Sequence, residues 1–295
     1  MDRKTLLLFG AIIVFVAVVY FRNNSSHSGP VVFTPGAEAV FSKWSSIPEA
    51  TVSVDTLYAI KNLPHGGGLL FSIVADNQLQ TLQSPLLSGG DIHRYSDWTA
   101  HGFTHDNYVL VHRGNEVHAV TVKHSFAKSL NSLSQAGWIS DPDRDVVYQS
   151  EVSTNTANAA YLLDPSSSIE NKKVEVTGYR VYGDKPYILR FHIKSVLTKM
   201  PPSFMDPNQT TSSVPGHEMN TKISKLKDLY LIRIPLLYKD EVMGLSGSGA
   251  YSIGKNGMTT DTLIGLQSQR LMVGYPDEDG NPVIKNAGIV IERVH

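Results

Sequence analysis

Cysteine is absent from the 295 residues. That excludes disulfides, thiolate nucleophiles, iron–sulfur clusters and Cys-ligated zinc. It leaves the compartment open, because a cysteine-free chain is stable on either side of a membrane. Net charge is nearly absent too: 26 Lys and Arg stand against 27 Asp and Glu, interspersed rather than blocked. A general grip on nucleic acid needs a basic face, so no nucleic-acid partner is expected. Charged residues make up only 18%, yet 41% are hydrophobic, enough to bury a core, and this excludes a wholly disordered chain. Cofactor signatures are missing as well. Gly66-Gly67-Gly68 is not followed by Gly-Lys-Ser/Thr and reads as a turn before a strand, so no cofactor is expected.

Long hydrophobic runs are scarce, with one exception. Thr5 to Phe21 contains no charge in 17 residues. As a helix it spans about 25 Å, close to the hydrocarbon core of a bilayer. Arg3 and Lys4 flank one end, and Tyr20, Phe21 and Arg22 the other. A cleaved signal peptide would have small residues just after its core, whereas Arg22-Asn23-Asn24 follows here. The run is expected to be an uncleaved transmembrane signal anchor over residues 1–22. Arg3 and Lys4 would hold the N-terminus in the cytoplasm, making the chain a single-pass membrane protein with an extracytoplasmic remainder.

Helical periodicity is scarce beyond the polar linker at 23–30. Ser125–Gln135 is the one short helical stretch. Short apolar or alternating runs recur instead, among them Thr51–Val54, Gly68–Val74, Tyr108–His112, Val117–Val122, Val146–Tyr148, Val174–Val181, Tyr187–Val196, Leu229–Leu237, Gly249–Ile253 and Leu263–Leu266. Turn signals stand at Arg113-Gly114-Asn115 and Gly183-Asp184. The fold class is therefore all-β. At this length, many short strands make a sandwich, a barrel or two barrels. Ser150–Ser168 reads as a connector and Pro201–Ser224 as a long surface loop.

The sharpest local string is Gly244-Leu245-Ser246-Gly247-Ser248-Gly249. A serine hydroxyl attacks well only when a base takes its proton and donors await the oxyanion. Gly244 lets the backbone bend so that the N–H groups of Gly244 and Ser246 can share one target, and Gly247 leaves room for substrate. A histidine base stands upstream in Asp97-Trp98-Thr99-Ala100-His101. An orienting acid, Asp145, stands directly before an apolar strand. Taken singly, each string has a plain structural reading: a Gly/Ser turn, a structural histidine, a turn aspartate. Their order, His, Asp, Ser, makes them a candidate triad.

These strings together resemble the chymotrypsin/trypsin-fold serine proteases, over roughly Val54 to Ile289. Thr99-Ala100-His101 is similar to the family's Thr-Ala-Ala-His, Asp145-Val146-Val147 to its Asp-Ile/Leu-Ala, and Gly244-Leu245-Ser246-Gly247 to its Gly-Asp-Ser-Gly. The layout also resembles bacterial membrane-anchored HtrA-type proteases, and Gly-x-Ser-Gly-Ser their glutamyl-endopeptidase-like and viral relatives. The resemblance implies two packed antiparallel six-stranded β-barrels, residues 31–160 and 161–295. It implies a peptidase acting on protein or peptide substrates, with Ser246 as nucleophile, His101 as base and then acid, and Asp145 orienting His101. The N–H groups of Gly244 and Ser246 would form the oxyanion hole. Ile264-Gly265-Leu266-Gln267-Ser268 resembles the strand that pairs with substrate, which places Ser268 beside the triad.

Departures shape further expectations. Leu245 replaces the acid that pairs with a freed N-terminus in zymogen-type members, so activation by N-terminal cleavage is not expected. Asp240 stands where trypsin-like members hold an acid at the base of the pocket, which would favour Arg or Lys in the substrate. Arg270 falls where the family keeps glycine, and Gln267 could line the pocket instead. His124 and Asp143 are the fallback triad members. With 49 residues after Ser246, no PDZ-type domain is expected. Six of the 11 histidines fall within His93–His124, but a Gly-containing β pattern suits no metal site, so solvent-facing strand histidines are expected. Asn208-Gln209-Thr210 is a glycosylation sequon, meaningful only in a eukaryotic secretory setting. The oligomeric state stays open. The rival reading is a membrane-anchored β-domain that keeps the barrels without a working site.

Overall fold

The computed structural model describes residues 31–33, 38–58, 69–73, 79–83, 106–123, 137–149, 159–181, 187–201, 210–211, 227–242, 244–276 and 282–295. The chain is mostly β. Its strands in the first half are β1 (Val31–Phe33), β2 (Thr51–Tyr58), β3 (Leu69–Ile73), β4 (Leu79–Gln83), β5 (Asp106–Asn107), β6 (Val109–Arg113), β7 (Glu116–Val122), β8 (Trp138–Ser140) and β9 (Val146–Gln149). The second half carries β10 (Ala160–Leu162), β11 (Lys173–Val181), β12 (Tyr187–Val196), β13 (Thr198–Lys199), β14 (Thr210–Thr211), β15 (Leu229–Ile234), β16 (Gly249–Ile253), β17 (Thr259–Pro276) and β18 (Pro282–Arg293). One helix, α1 (Glu38–Ser46), precedes β2, and a 3-10 turn follows β15 at Leu236–Tyr238.

Strand pairing in the second half closes on itself. β11 pairs with β12, and β13 continues β12 after Leu197 and pairs with β15. β15 pairs with β18, β18 with β17, β17 with β16, and β16 returns to β11. Every pairing in the circuit is antiparallel. The alternation of side chains along each strand sends one set inward. Val174, Val176, Phe191, Ile193, Ile232 and Ile289 are buried together there. Each such side chain contributes about 1.5–3 kcal/mol on burial.

The first half is organised around β6, β7, β9 and β8, paired antiparallel in that order. After Glu116, every residue of β7 is buried. The reason is that both faces of this sheet are covered. Val117 and Ala119 pack with Tyr108, Leu110 and Trp138. Val120 and Val122 pack on the other side with Val109 and Val146, and with Leu263, Leu266 and Val294 from the second half. One apolar cluster therefore belongs to both halves. β10 reinforces the junction by pairing in parallel with β6 and with β17. β3, β4 and β5 form a separate three-stranded sheet.

Several elements differ from the sequence reading. β17 runs through 18 residues instead of four, with two register shifts against β18. β18, α1, β4 and β8 appear where no element was expected. The connector Ser150–Ser168 contains β10, and the strand expected over Leu229–Leu237 stops at Ile234, before Pro235. Within the loop at Pro201–Ser224, Thr210 and Thr211 pair with Val32 and Val31 of β1. Among the described residues no helix is long and apolar enough to cross a membrane, and Thr5–Phe21 lies outside them. So do Ser125–Gln135, Gly183-Asp184 and Asn208-Gln209.

Candidate functional site

The Ser246 turn leads into β16. Leu245 is fully buried in the core enclosed by the six-strand circuit. That explains leucine where the resemblance would place an acid: the side chain anchors the turn from below. The Leu245 N–H donates to the Val242 carbonyl at 3.4 Å, and the Ser248 N–H donates to the Leu245 carbonyl at 3.0 Å. Ser246, between these anchors, is half-buried, whereas Ser248 is buried against Gly178 and its hydroxyl has no partner among the described residues. Of the two serines, Ser246 is thus the more exposed.

Gly244 and Gly247 both take left-handed backbone conformations, with φ of +80° and +81°. Side chains other than glycine disfavour this region. At Gly247 there is also no space. A Cβ would lie 2.0 Å from the Asn107 carbonyl oxygen and 2.6 Å from the Thr121 hydroxyl. The room expected for substrate beside Gly247 is therefore occupied by β5, and the glycine permits two segments of the chain to touch.

Asn107 makes that contact. It is buried at the end of β5. Its N–H donates to the Ser246 carbonyl at 2.8 Å. Its side-chain Nδ2 donates to the carbonyls of Tyr179 (3.0 Å) and Gly244 (3.2 Å), and its Oδ1 accepts the Tyr179 N–H at 2.7 Å. Its carbonyl accepts the Thr121 hydroxyl at 2.6 Å. One residue thus fastens the serine turn, β11 and β7 together. Gly244–Leu245 is held from both sides, through the Gly244 carbonyl and the Leu245 N–H.

Asp145 is 1% exposed. It follows a turn in which the Asp143 N–H donates to Asp141 Oδ1 at 2.8 Å. The Asp145 N–H donates to both oxygens of Glu292, at 2.9 and 3.2 Å, and its carbonyl accepts the Lys123 N–H at 2.5 Å. Two residues on, Val147 is opposite Thr121, the residue that bonds Asn107. A short relay of pairings therefore joins the Asp145 strand to the Ser246 turn. Asp143, the fallback acid, is 49% exposed and paired with Lys227. His101 and His124 lie outside the described residues.

Buried charge collects behind Asp145. Glu292 is fully buried on β18, and burial, reinforced by the charge of Asp145, pushes its carboxyl up to about 8. Lys123 is buried too, and desolvation lowers its ammonium, opposed by Asp145, Glu292 and Asp141. Its Nζ donates to the Asp141 carbonyl at 2.7 Å. Arg144 stands 4.0 Å from Glu292 and pairs with Asp228 at 2.9 Å.

The substrate-side expectations find varied placements. Gln267 is buried, its Nε2 donating to the Val242 carbonyl at 3.1 Å, and its backbone pairs with Gly247 and Ser248 at 2.8 Å each. Ser268 is buried, with a hydroxyl that has no partner among the described residues. Asp240 is 62% exposed and already paired, with Arg270 at 3.3 Å and with Lys239. Arg270 is buried, and desolvation pushes its guanidinium down to about 10 against the pull of Asp240. Arg180, also buried, donates to the Asp240 carbonyl at 3.0 Å and pairs with Glu241 at 2.9 Å. Asp240 is thus a surface acid with two cations of its own. Among the clustered histidines, His118 is not solvent-facing. Its Nδ1 meets the Gln149 carbonyl at 2.9 Å and its Nε2 meets Glu116 at 3.1 Å.

Sequence reasoning missed Asn107, Thr121, Lys123 and Glu292. Only Glu292 carried a local signal, an acid ending the apolar run Gly288–Ile291. Compared with family models, curated proteins and solved structures, the chain finds no match.

Proposed function

We propose that the protein is a membrane-anchored serine endopeptidase of chymotrypsin-like architecture, with His101, Asp145 and Ser246 as its triad. The observation that carries the reading is the Ser246 turn. Two left-handed glycines and a buried leucine flank a half-buried serine, and Asn107 fastens that turn to the strand that begins five residues after His101. Asp145, buried and held at both its N–H and its carbonyl, supplies the desolvated acid such a triad needs. A closed antiparallel circuit of six strands is what the second barrel of this architecture requires. Thr5–Phe21 would be the anchor, with the catalytic part outside the cytoplasm.

In this reading His101 takes the proton of Ser246 as Oγ attacks the peptide carbonyl. The N–H groups of Gly244 and Ser246 hold the oxyanion. His101 then gives its proton to the leaving amine, which departs and leaves an acyl-enzyme on Ser246. Water, deprotonated by His101, attacks the ester, and the acid product leaves with Ser246 restored. Because the carboxylate of Asp240 is met by Arg270 and Lys239, a preference for Arg or Lys in the substrate has no support in its placement.

The test is hydrolysis of denatured casein by the full chain in non-ionic detergent, read by mass spectrometry. Ser246→Ala and His101→Ala are expected to abolish cleavage, and Asp145→Asn to slow it strongly. Cleavage by Ser246→Ala at the wild-type rate would refute the reading.

A further inference from the structure

We propose that Glu292 is a positioning residue for Asp145, its carboxyl receiving the Asp145 N–H from the opposite half of the molecule. The inference rests on the peptidase reading for its catalytic meaning, but its geometry stands by itself. Glu292 comes from β18, where its register partners are Leu229 on β15 and Leu266 on β17, both apolar and both buried. Neither register partner offers this carboxyl a polar group. It reaches across to the turn before β9, and there both oxygens lie within hydrogen-bond distance of a single N–H, that of Asp145.

A carboxyl without exposure is unfavourable unless hydrogen bonds or charges compensate its lost hydration. Here it holds the backbone of the one buried aspartate in the candidate site. The Lys123 N–H holds the Asp145 carbonyl. With both its N–H and its carbonyl bonded, the Asp145 backbone is fixed, and with it the point from which the side chain projects. Ser268, expected beside the triad, has no hydrogen bond from its hydroxyl among the described residues. Glu292 is a second-half residue that does bond Asp145, at its backbone N–H.

The charged and titratable groups facing Glu292 are Asp145, Arg144 and Tyr148 from the segment around β9, and Lys123 from the end of β7. Arg293 adjoins it on β18, with its guanidinium donating to the Asp164 carbonyl. In this setting the raised carboxyl ionises near pH 8, and the Asp145 amide senses that ionisation directly.

The test uses the full chain in non-ionic detergent, with two variants and two readouts. Gln at 292 keeps an oxygen acceptor for the N–H, and Ala removes it. Reaction of Ser246 with a fluorophosphonate is expected to slow about tenfold in Glu292→Ala, the scale of one lost hydrogen bond, and to stay near wild type in Glu292→Gln. Equal rates for wild type and Glu292→Ala, or a Glu292→Gln as slow as Glu292→Ala, would overturn the proposal. The second readout is the Asp145 amide resonance in selectively 15N-aspartate-labelled protein. It is expected to titrate with a midpoint near 8 in wild type and not in Glu292→Gln. A flat wild-type resonance between about pH 6.5 and 9.5, or the same titration in Glu292→Gln, would overturn the proposal too. Absence of any wild-type labelling would sink the peptidase reading alone, leaving the amide titration to decide on Glu292.

Discussion

Replacing Asn107 with alanine tests the joint between the two halves. The side chain makes three hydrogen bonds, two from Nδ2 and one at Oδ1, to Tyr179 and Gly244. Alanine removes all three and strands a backbone N–H and two carbonyls. A polar group left unsatisfied when buried costs about 1–3 kcal/mol. Tyr179 and Gly244 are only half-buried, so water can recover part of that loss. The expected destabilisation is about 3–5 kcal/mol, against a total stability of roughly 5–15 kcal/mol for a domain. At about 2–4 °C per kcal/mol for a chain of this size, the melting temperature should fall by roughly 6–20 °C. Asn107→Asp is the sharper variant. It keeps the acceptor for Tyr179 but turns a donor into an oxygen facing two carbonyls. Only its protonated form can donate to one of them, so the folded state raises the new carboxyl above its ordinary value. Stability is then fullest below the ordinary carboxyl value of about 4 and falls as the pH rises from there toward the raised one. Near-ultraviolet circular dichroism melts at pH 4 and pH 7.5 measure both effects. An Asn107→Ala protein melting within about 2 °C of wild type would refute the account of Asn107 as the joint.

Two further outcomes follow from the packing around the same turn. Gly247→Ala combines a left-handed φ with a Cβ 2.0 Å from the Asn107 oxygen. It should lose more than about 3 kcal/mol in chemical denaturation, and a wild-type midpoint would contradict the close approach. Glu292→Gln should stabilise the protein at pH 8 and leave it unchanged near pH 4. The folded carboxyl ionises near 8 while the unfolded one ionises at its ordinary value of 4.5, so the folded state binds more protons in between and wild-type stability falls across that window. At about 1.4 kcal/mol per unit the relief at pH 7 is roughly 3.5 kcal/mol as an upper bound. A stability difference independent of pH would contradict the burial of that acid.

What could be read in the sequence depended on how far a residue's partners lie along the chain. The β class was legible because alternation is a local property, as in Val117–Val122 and Val174–Val181. The Ser246 turn was legible for the same reason: Gly244, Leu245 and Gly247 are adjacent. Asn107 gave no signal, because its side-chain partners are 72 and 137 residues away. Glu292 finds Asp145 at a separation of 147. β18 was missed because Asn286-Ala287-Gly288 looks like a break. In the structure, a Cβ at Gly288 would lie 2.9 Å from the Trp44 ring, so the small residue makes way for α1. β17 runs on past the apolar run Leu263–Leu266 through Gln267, Ser268, Gln269 and Arg270, four polar residues in which no alternation marks a strand. Gln267, Ser268 and Arg270 are buried, with the Gln267 amide and the Arg270 guanidinium hydrogen-bonded to the segment that leads into the Ser246 turn. In and just after α1, Trp44 and Ile47 are the buried apolar side chains among the residues whose burial is described, too few to write a helical period.

The most direct measurement of the central claim is the site of covalent modification by a fluorophosphonate. The full chain in non-ionic detergent is treated with the reagent, digested and mapped by tandem mass spectrometry. The account predicts one adduct, on Ser246, absent from Ser246→Ala and strongly diminished in His101→Ala. It predicts none on Ser248, whose hydroxyl is buried against Gly178. No adduct on the wild-type chain, or equal labelling of wild type and Ser246→Ala, would contradict it.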